Sequence, residues 1–316
     1  MGKLEENMKV KIGIIGLGNI AQSTYLPLLS AYEKVEIVGA FSPNVEESRR
    51  ICRQYRIPYF TTMESLVEQV DAVFVHSATV AHYEVVKYIL NQSKHVYVDK
   101  PLVETIQEAE ELLQLAEANG VKLMIGFNRR FAPAYQKLKE QLTHRDYQYL
   151  KIEKHRMGLT NQNCFDIILD DYIHLIDTIC WLVGEELEIS DVNLQQTAAG
   201  QLQFVSVIYQ GKESKTAYLQ TISHRNAGTD LESITLIRDN QYMTVNNFFE
   251  VTTITDGITA IQPPALLRKT DYYRRGFSNI VDEFIMAILE NRSIQEFTVN
   301  GVYAQKIVEQ LKKYIK

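Results

Sequence analysis

Apolar positions along this chain change rhythm once, near residue 126. Before that point short apolar runs alternate with stretches of helical period. The runs are Val10–Ile15, Val35–Phe41, Tyr59–Phe60, Ala72–His76, His95–Val98 and Val121–Ile125. Helices are expected at Ile20–Ala31, Met63–Gln69, Val80–Asn91 and Glu104–Asn119. Another starts with Ser42 as N-cap and Pro43 at the first helical position, carries Arg49, Arg50, Arg53 and Arg56, and stops before Pro58. Regular alternation of this kind predicts a parallel, doubly wound sheet with right-handed crossovers.

After Gly126 a helix (Pro133–Leu142), a strand (Tyr149–Arg156), a polar stretch (Gly158–Asn163) and a longer helix (Phe165–Val183) follow. From Ile189 to Ile261 the pattern has period two. Strands are expected at Leu202–Tyr209, Thr216–Ser223, Ser233–Arg238, Tyr242–Val245 and Glu250–Thr255, with Gly and Asn punctuation between them. That predicts an open, mostly antiparallel sheet, closed by helices at Phe277–Glu290 and Val302–Ile315. The fold class is therefore α/β: an N-terminal domain over 8–126 and a C-terminal α+β domain over 127–316. No flexible spacer separates them, so close packing is expected.

Composition changes this picture little. The chain has 316 residues, enough for about two domains, with 46% hydrophobic and 23% charged residues, an ordinary globular balance. A net charge of −6 offers no basic stripe for a nucleic acid partner. Cys52, Cys164 and Cys180 are few and irregularly spaced, which fits a reducing cytoplasm and gives neither disulfide frame nor metal cluster. No apolar run has membrane-spanning length, and the start lacks the apolar core of a signal peptide. The residues before Met8 are expected to fray ahead of the first strand.

The first candidate chemistry lies at Gly16-Leu17-Gly18-Asn19-Ile20-Ala21, a G-x-G-x-x-A turn between strand and helix. Gly16 permits the tight turn, Gly18 lets backbone approach a pyrophosphate, and Ala21 lets the helix lie close to the strand. The helix N-terminus beyond offers N–H groups to phosphate. The alternative is a tight turn with no ligand. Set in its strand–helix–strand unit, the pattern points to a dinucleotide-binding Rossmann sheet.

Asp99-Lys100-Pro101 follows the fifth strand, where carboxyl ends face the ligand crevice of an open α/β sheet. Lys100 can orient a substrate hydroxyl or carbonyl and pass a proton, provided its ordinary pKa of about 10.4 is lowered. Asp170 and His174 stand four apart on the long helix, hence on one face. Such a carboxylate can hold an imidazole in one tautomer for proton transfer near neutral pH. The alternative is a surface pair. Asn128, Arg129 and Arg130 follow the sixth strand and would bind acidic substrates or bridge the domains. His82, in Ser77-Ala78-Thr79-Val80-Ala81-His82, would touch the cofactor or pack.

Together these segments resemble the glucose-fructose oxidoreductase, inositol dehydrogenase and rhizopine-catabolism (Gfo/Idh/MocA) family along nearly the whole chain. GLGNIA is similar to its nucleotide turn, DKP to its E-K-P motif, GFNRRFAPAY to the segment after the sixth strand, and LDDYIHLID to its L-D-x-G-x-H-x-x-D helix. The resemblance implies an NAD(P)-dependent enzyme transferring a hydride between nicotinamide and a sugar, polyol or related alcohol or carbonyl. It implies Lys100, Asp170 and His174 around the reacting carbon, and dimers or tetramers formed through the open sheet. The implied cofactor-binding set is Gly16, Gly18, Asn19, Ile20, Ser42, Ser77, Thr79, His82, Asp99, Lys100 and Asn128. Four departures stand out. Asp99 is one methylene shorter than the motif glutamate, which would shift Lys100. Tyr172 replaces the motif glycine, and its ring would fill the crevice. The glycine run before the long helix is missing from Asn161 to Phe165. Ser42 stands where NAD-specific members often carry an acidic residue. Without that carboxylate a 2′-phosphate is not repelled, and Ser42 with Arg49 or Arg50 would contact it. This favours NADP over NAD, although no arginine is directly beside Ser42. A nucleotide-binding sensor with little catalysis is the alternative reading; a reductase for a bulkier aromatic dihydrodiol is a lesser one.

Overall fold

The computed structural model describes residues 8–142, 147–213, 217–261 and 269–316. The stretch before Met8 and the strand start at Thr216 lie outside the described residues. The chain divides into two units: Met1–Phe127 with Ser278–Val302, and Asn128–Phe277 with Tyr303–Lys316. The sequence reading kept all of 127–316 together, whereas these contacts return Ser278–Val302 to the first unit.

In the first unit β1 (Val10–Ile15), β2 (Val35–Phe41), β3 (Ala72–Val75), β4 (His95–Val98) and β5 (Leu123–Ile125) form a parallel sheet in the order β2-β1-β3-β4-β5. All four residues of β3 are buried, as a strand covered on both faces requires. Tyr59 makes only an isolated bridge to Ala40, so the expected short strand there is not a member of the sheet. The helix after β2 is Val45–Tyr55, capped by Asn44 rather than Ser42. The Asn44 side chain accepts from the Glu47 N–H, and Pro43 stays outside the helix. Arg56 lies past its end, in the left-handed region.

In the second unit the sheet has eight strands: β6 (Tyr147–His155), β7 (Leu187–Gln196), β8 (Leu202–Gly211), β9 (Tyr218–His224), β10 (Leu231–Arg238), β11 (Gln241–Asn246), β12 (Glu250–Thr255) and β13 (Ile258–Ile261). Their order is β13-β12-β11-β10-β6-β9-β8-β7, antiparallel except for β6 beside β9. β7 and β13 were not resolved by the period-two reading. Along β6, Leu150, Ile152 and Lys154 are buried, while Lys151, Glu153 and His155 on the other face are less so. Helical turns run through Cys164–Ile167, Ile168–Tyr172 and Ile173–Val183. The middle segment is widened, with the Ile173 N–H donating five residues back to Ile168. Trp181 alone of Ile173–Val183 is not buried, so this helix is covered on all sides, its polar His174, Asp177 and Thr178 included. Phe277–Leu289 and Gln295–Gln310 follow, the latter beginning earlier than its apolar period suggests.

Candidate active site

The glycine turn has two different demands. Gly16 has φ +88°, and a Cβ there would lie 2.5 Å from the His76 carbonyl carbon and the Ser77 nitrogen. Only glycine fits against that backbone. Gly18 is exposed, and a Cβ there would meet nothing within 4 Å, so its missing side chain leaves room for a ligand rather than for the fold. Asn19 and Ile20 are exposed in the first helical turn, where N–H groups lack intrahelical acceptors. Just beyond, the backbone again widens, the Leu26 N–H donating to Ala21. Ser77 Oγ is buried without a hydrogen-bond partner, and its residue abuts Gly16. An open cradle, helix-end donors and an orphaned hydroxyl fit a dinucleotide's phosphate and ribose oxygens.

Below the turn, the Asp99 carboxylate pairs with His76 Nδ1 at 2.8 Å. The His76 ring is stacked on Tyr25, with centroids 4.1 Å apart, and Tyr25 and Tyr97 share a 2.8 Å hydroxyl contact. Burial first, then the neighbouring Tyr97 and Asp99, push the Tyr25 hydroxyl well above its ordinary range. The shorter Asp99 is thus anchored by His76, and Lys100 follows it through a cis bond to Pro101. Thr79 opens a tight turn that leads into His82–Asn91.

Three further expected residues have partners of their own. His82 is 1% exposed, with Nδ1 at 3.0 Å from the Pro101 carbonyl and Nε2 at 3.0 Å from the Ser77 carbonyl. Its ring braces two loops, the packing alternative of the two. Arg50 is paired with Glu47 and Arg49 lies over the Tyr59 ring, so neither is committed to Ser42. Asn128 belongs to the second unit, where its amide donates to the Arg275 carbonyl at 2.7 Å.

In the second unit Asp170 is exposed and His174, four residues on, is 8% exposed. The widened turn Ile168–Tyr172 carries Asp170, and such turns recur at functional sites. Tyr172 does not obstruct a crevice. It is 1% exposed, and its hydroxyl meets Thr221 Oγ1 at 2.5 Å on β9, which Tyr209 of β8 also meets at 3.0 Å. Arg129 and Arg130 are likewise internal. Arg129 makes a two-pronged pair with Glu232 at 2.5 and 2.8 Å, and Arg130 a matching pair with Asp177.

A second charged group was not foreseen. Asp171 receives Lys154 Nζ at 2.5 Å and Arg156 Nη2 at 3.1 Å on one oxygen, and Arg225 Nη1 at 2.5 Å on the other. Burial alone would raise the Asp171 carboxyl, but Lys154 and Arg156 hold it far below the usual carboxylate range. Burial, then Arg129, lowers the Lys154 ammonium to about 7. Glu232 would also rise on burial, but Arg129 keeps it low. The signal was in the strand: Lys154 sits in register with buried Leu150 and Ile152.

A family model described as an oxidoreductase family with an NAD-binding Rossmann fold matches residues 10–127. A YceM-like C-terminal domain model matches residues 133–256. The chain is 35% identical to the YceM protein of Salmonella typhimurium, named as an oxidoreductase, over 96% of this chain and 97% of that one. It superposes on the crystal structure of a dehydrogenase (MviM) from Clostridium difficile with TM-score 0.92 and 37% identity, covering 97% and 99% of the two chains. It is 26% identical to a UDP-N-acetylglucosamine 3-dehydrogenase of Acidithiobacillus ferrooxidans over 56% of this chain and 55% of that protein. With the glycine turn and both sheets in place, the chain belongs to the Gfo/Idh/MocA oxidoreductase family.

Proposed function

We propose that this protein is a cytoplasmic NAD(P)-dependent dehydrogenase or reductase acting on a sugar, a polyol or a related small alcohol or carbonyl. The observation that carries the reading is the glycine turn, closed by backbone at Gly16 and open at Gly18. The names of relatives, an inositol 2-dehydrogenase from Halalkalibacterium halodurans among them, support the substrate class. Gly16, Gly18, Asn19, Ile20, Ser77 and Thr79 hold the dinucleotide, with Ser42 toward the ribose. The nicotinamide, when bound, supplies hydride acceptance or donation. Lys100 or His174 takes the proton of the substrate hydroxyl, and Asp170 orients the imidazole. Asp99, tied to His76, holds Lys100 in place. The chain assembles as a homo-oligomer through the outer face of the eight-stranded sheet, where the Tyr149 and Tyr218 rings stack at 5.5 Å and Tyr218 and Tyr242 are exposed.

The sensor reading rested on Tyr172 filling the crevice, and the burial of that ring beside β8 and β9 removes its support. Nicotinamide fluorescence combined with a polyol and aldose panel tests the enzyme: binding with turnover on a panel member is expected, and binding without any turnover favours a sensor. Because no carboxylate ends β2 to repel a 2′-phosphate, NADPH is expected to bind more tightly than NADH. Equal constants, or tighter NADH, would remove that preference.

A further inference from the structure

Buried cations in the second unit are balanced in two ways. Arg129 faces Glu232 and Arg130 faces Asp177, one carboxylate to one guanidinium. Around Asp171 three cations, Lys154, Arg156 and Arg225, share one carboxylate, and Arg156 alone reaches a second, Asp230 at 4.0 Å. Lys154 and Arg225 are 1% and 6% exposed, so water screens little of the excess. Moreover, the Nε atom of Arg225 is buried and has no hydrogen-bond partner. An uncompensated donor on a buried charged group is costly, and a bound anion is one partner that would satisfy it. The group is reachable: Arg156 is one third exposed and Asp171 one fifth.

We propose that Arg156 and Arg225, held by Asp171 beside Lys154, form a subsite for a phosphate or diphosphate group on the substrate. With Asp230 counted, the cations still outnumber the carboxylates around Arg156 and Arg225, which suits an anion. Guanidinium forks suit phosphate oxygens two at a time. The competing account is that Lys154 simply sheds its proton, which its lowered pKa permits, and that no anion enters. The proposal deepens the oxidoreductase reading by naming a phosphorylated sugar as the substrate class, and it rests on that reading only for the word substrate.

Calorimetric titration of inorganic phosphate into the full chain saturated with NADPH, at ionic strength held constant with chloride, separates the two accounts. The expected result is saturable binding that weakens at least tenfold in Arg225→Gln and in Arg156→Gln. Arg292→Gln, on a surface pair with Glu283 and Glu290, should leave it unchanged. Arg156→Gln, at a partly exposed strand end, keeps the test open if Arg225→Gln does not fold. Three results would overturn the subsite: no binding, equal binding by all variants, or acetate binding as tightly as phosphate. NADPH binding is scored separately by its fluorescence. A chain that binds phosphate but no NADPH contradicts the oxidoreductase reading and leaves the subsite standing.

Discussion

Lys154 Nζ lies 2.5 Å from Asp171 Oδ1, a fully buried ammonium against a carboxylate that also receives two arginines. Desolvation costs such an ion several kcal/mol, and one shared carboxylate offsets it incompletely. Burial, then the nearby Arg129, outweighs the pull of Asp171 and Glu232 and lowers the ammonium to about 7.

A stability profile follows with a definite sign. The folded pKa of Lys154, about 7, lies below the ordinary 10.5 of the unfolded chain. Between those values the unfolded chain holds a proton that the folded one has lost. Its contribution to stability therefore rises as pH increases through that window. Lys154→Met removes the contribution and leaves Asp171 with Arg156 and Arg225. Urea denaturation at pH 6, 7, 8 and 9 should show a rise for the wild type that is diminished in the variant; parallel curves would contradict it.

The two glycines of the turn should behave oppositely. Gly16→Ala places a methyl against His76 and Ser77 backbone at positive φ, and a loss of about 1–3 kcal/mol in unfolding free energy is expected. Gly18→Ala adds a methyl in open space, so stability stays within about 0.5 kcal/mol while nucleotide affinity falls. Denaturation and fluorescence titration of both variants distinguish these outcomes. Equal loss of stability in the two would say that Gly18 also serves the fold.

Tyr172→Gly should destabilise without raising turnover. It deletes a buried ring worth about 3–5 kcal/mol and adds about 1 kcal/mol for glycine in a helix. It also strips a partner from Thr221. A folded variant with faster turnover would return the ring to the substrate's path.

Much of this fold was legible because its signals are local. Whereas the helix expected from Glu104 starts at Ile106, capped by Thr105, β1, β2 and β4 follow from apolar runs. The same holds for Lys154, whose core-facing register with Leu150 and Ile152 can be counted along one strand. Its partners could not be counted, since Arg225 stands 54 residues beyond Asp171. Asn128 is fixed by a carbonyl 147 residues away, which no window along the chain reaches. Tyr172 misled for a different reason. Its place in the motif pointed to the crevice, but which way it faces depends on packing against Thr221 and Tyr209, which the spacing does not reveal.

The role of Lys100 is the centre of the functional account, and Lys100→Ala tests it most directly. Removing a positioned proton-transfer group typically costs about 10²–10⁴-fold in rate. Steady-state turnover on the best panel substrate, measured beside the nicotinamide dissociation constant, should fall at least a hundredfold while that constant changes less than about threefold. Turnover within a few-fold of the wild type, at unchanged nucleotide affinity, would contradict the account.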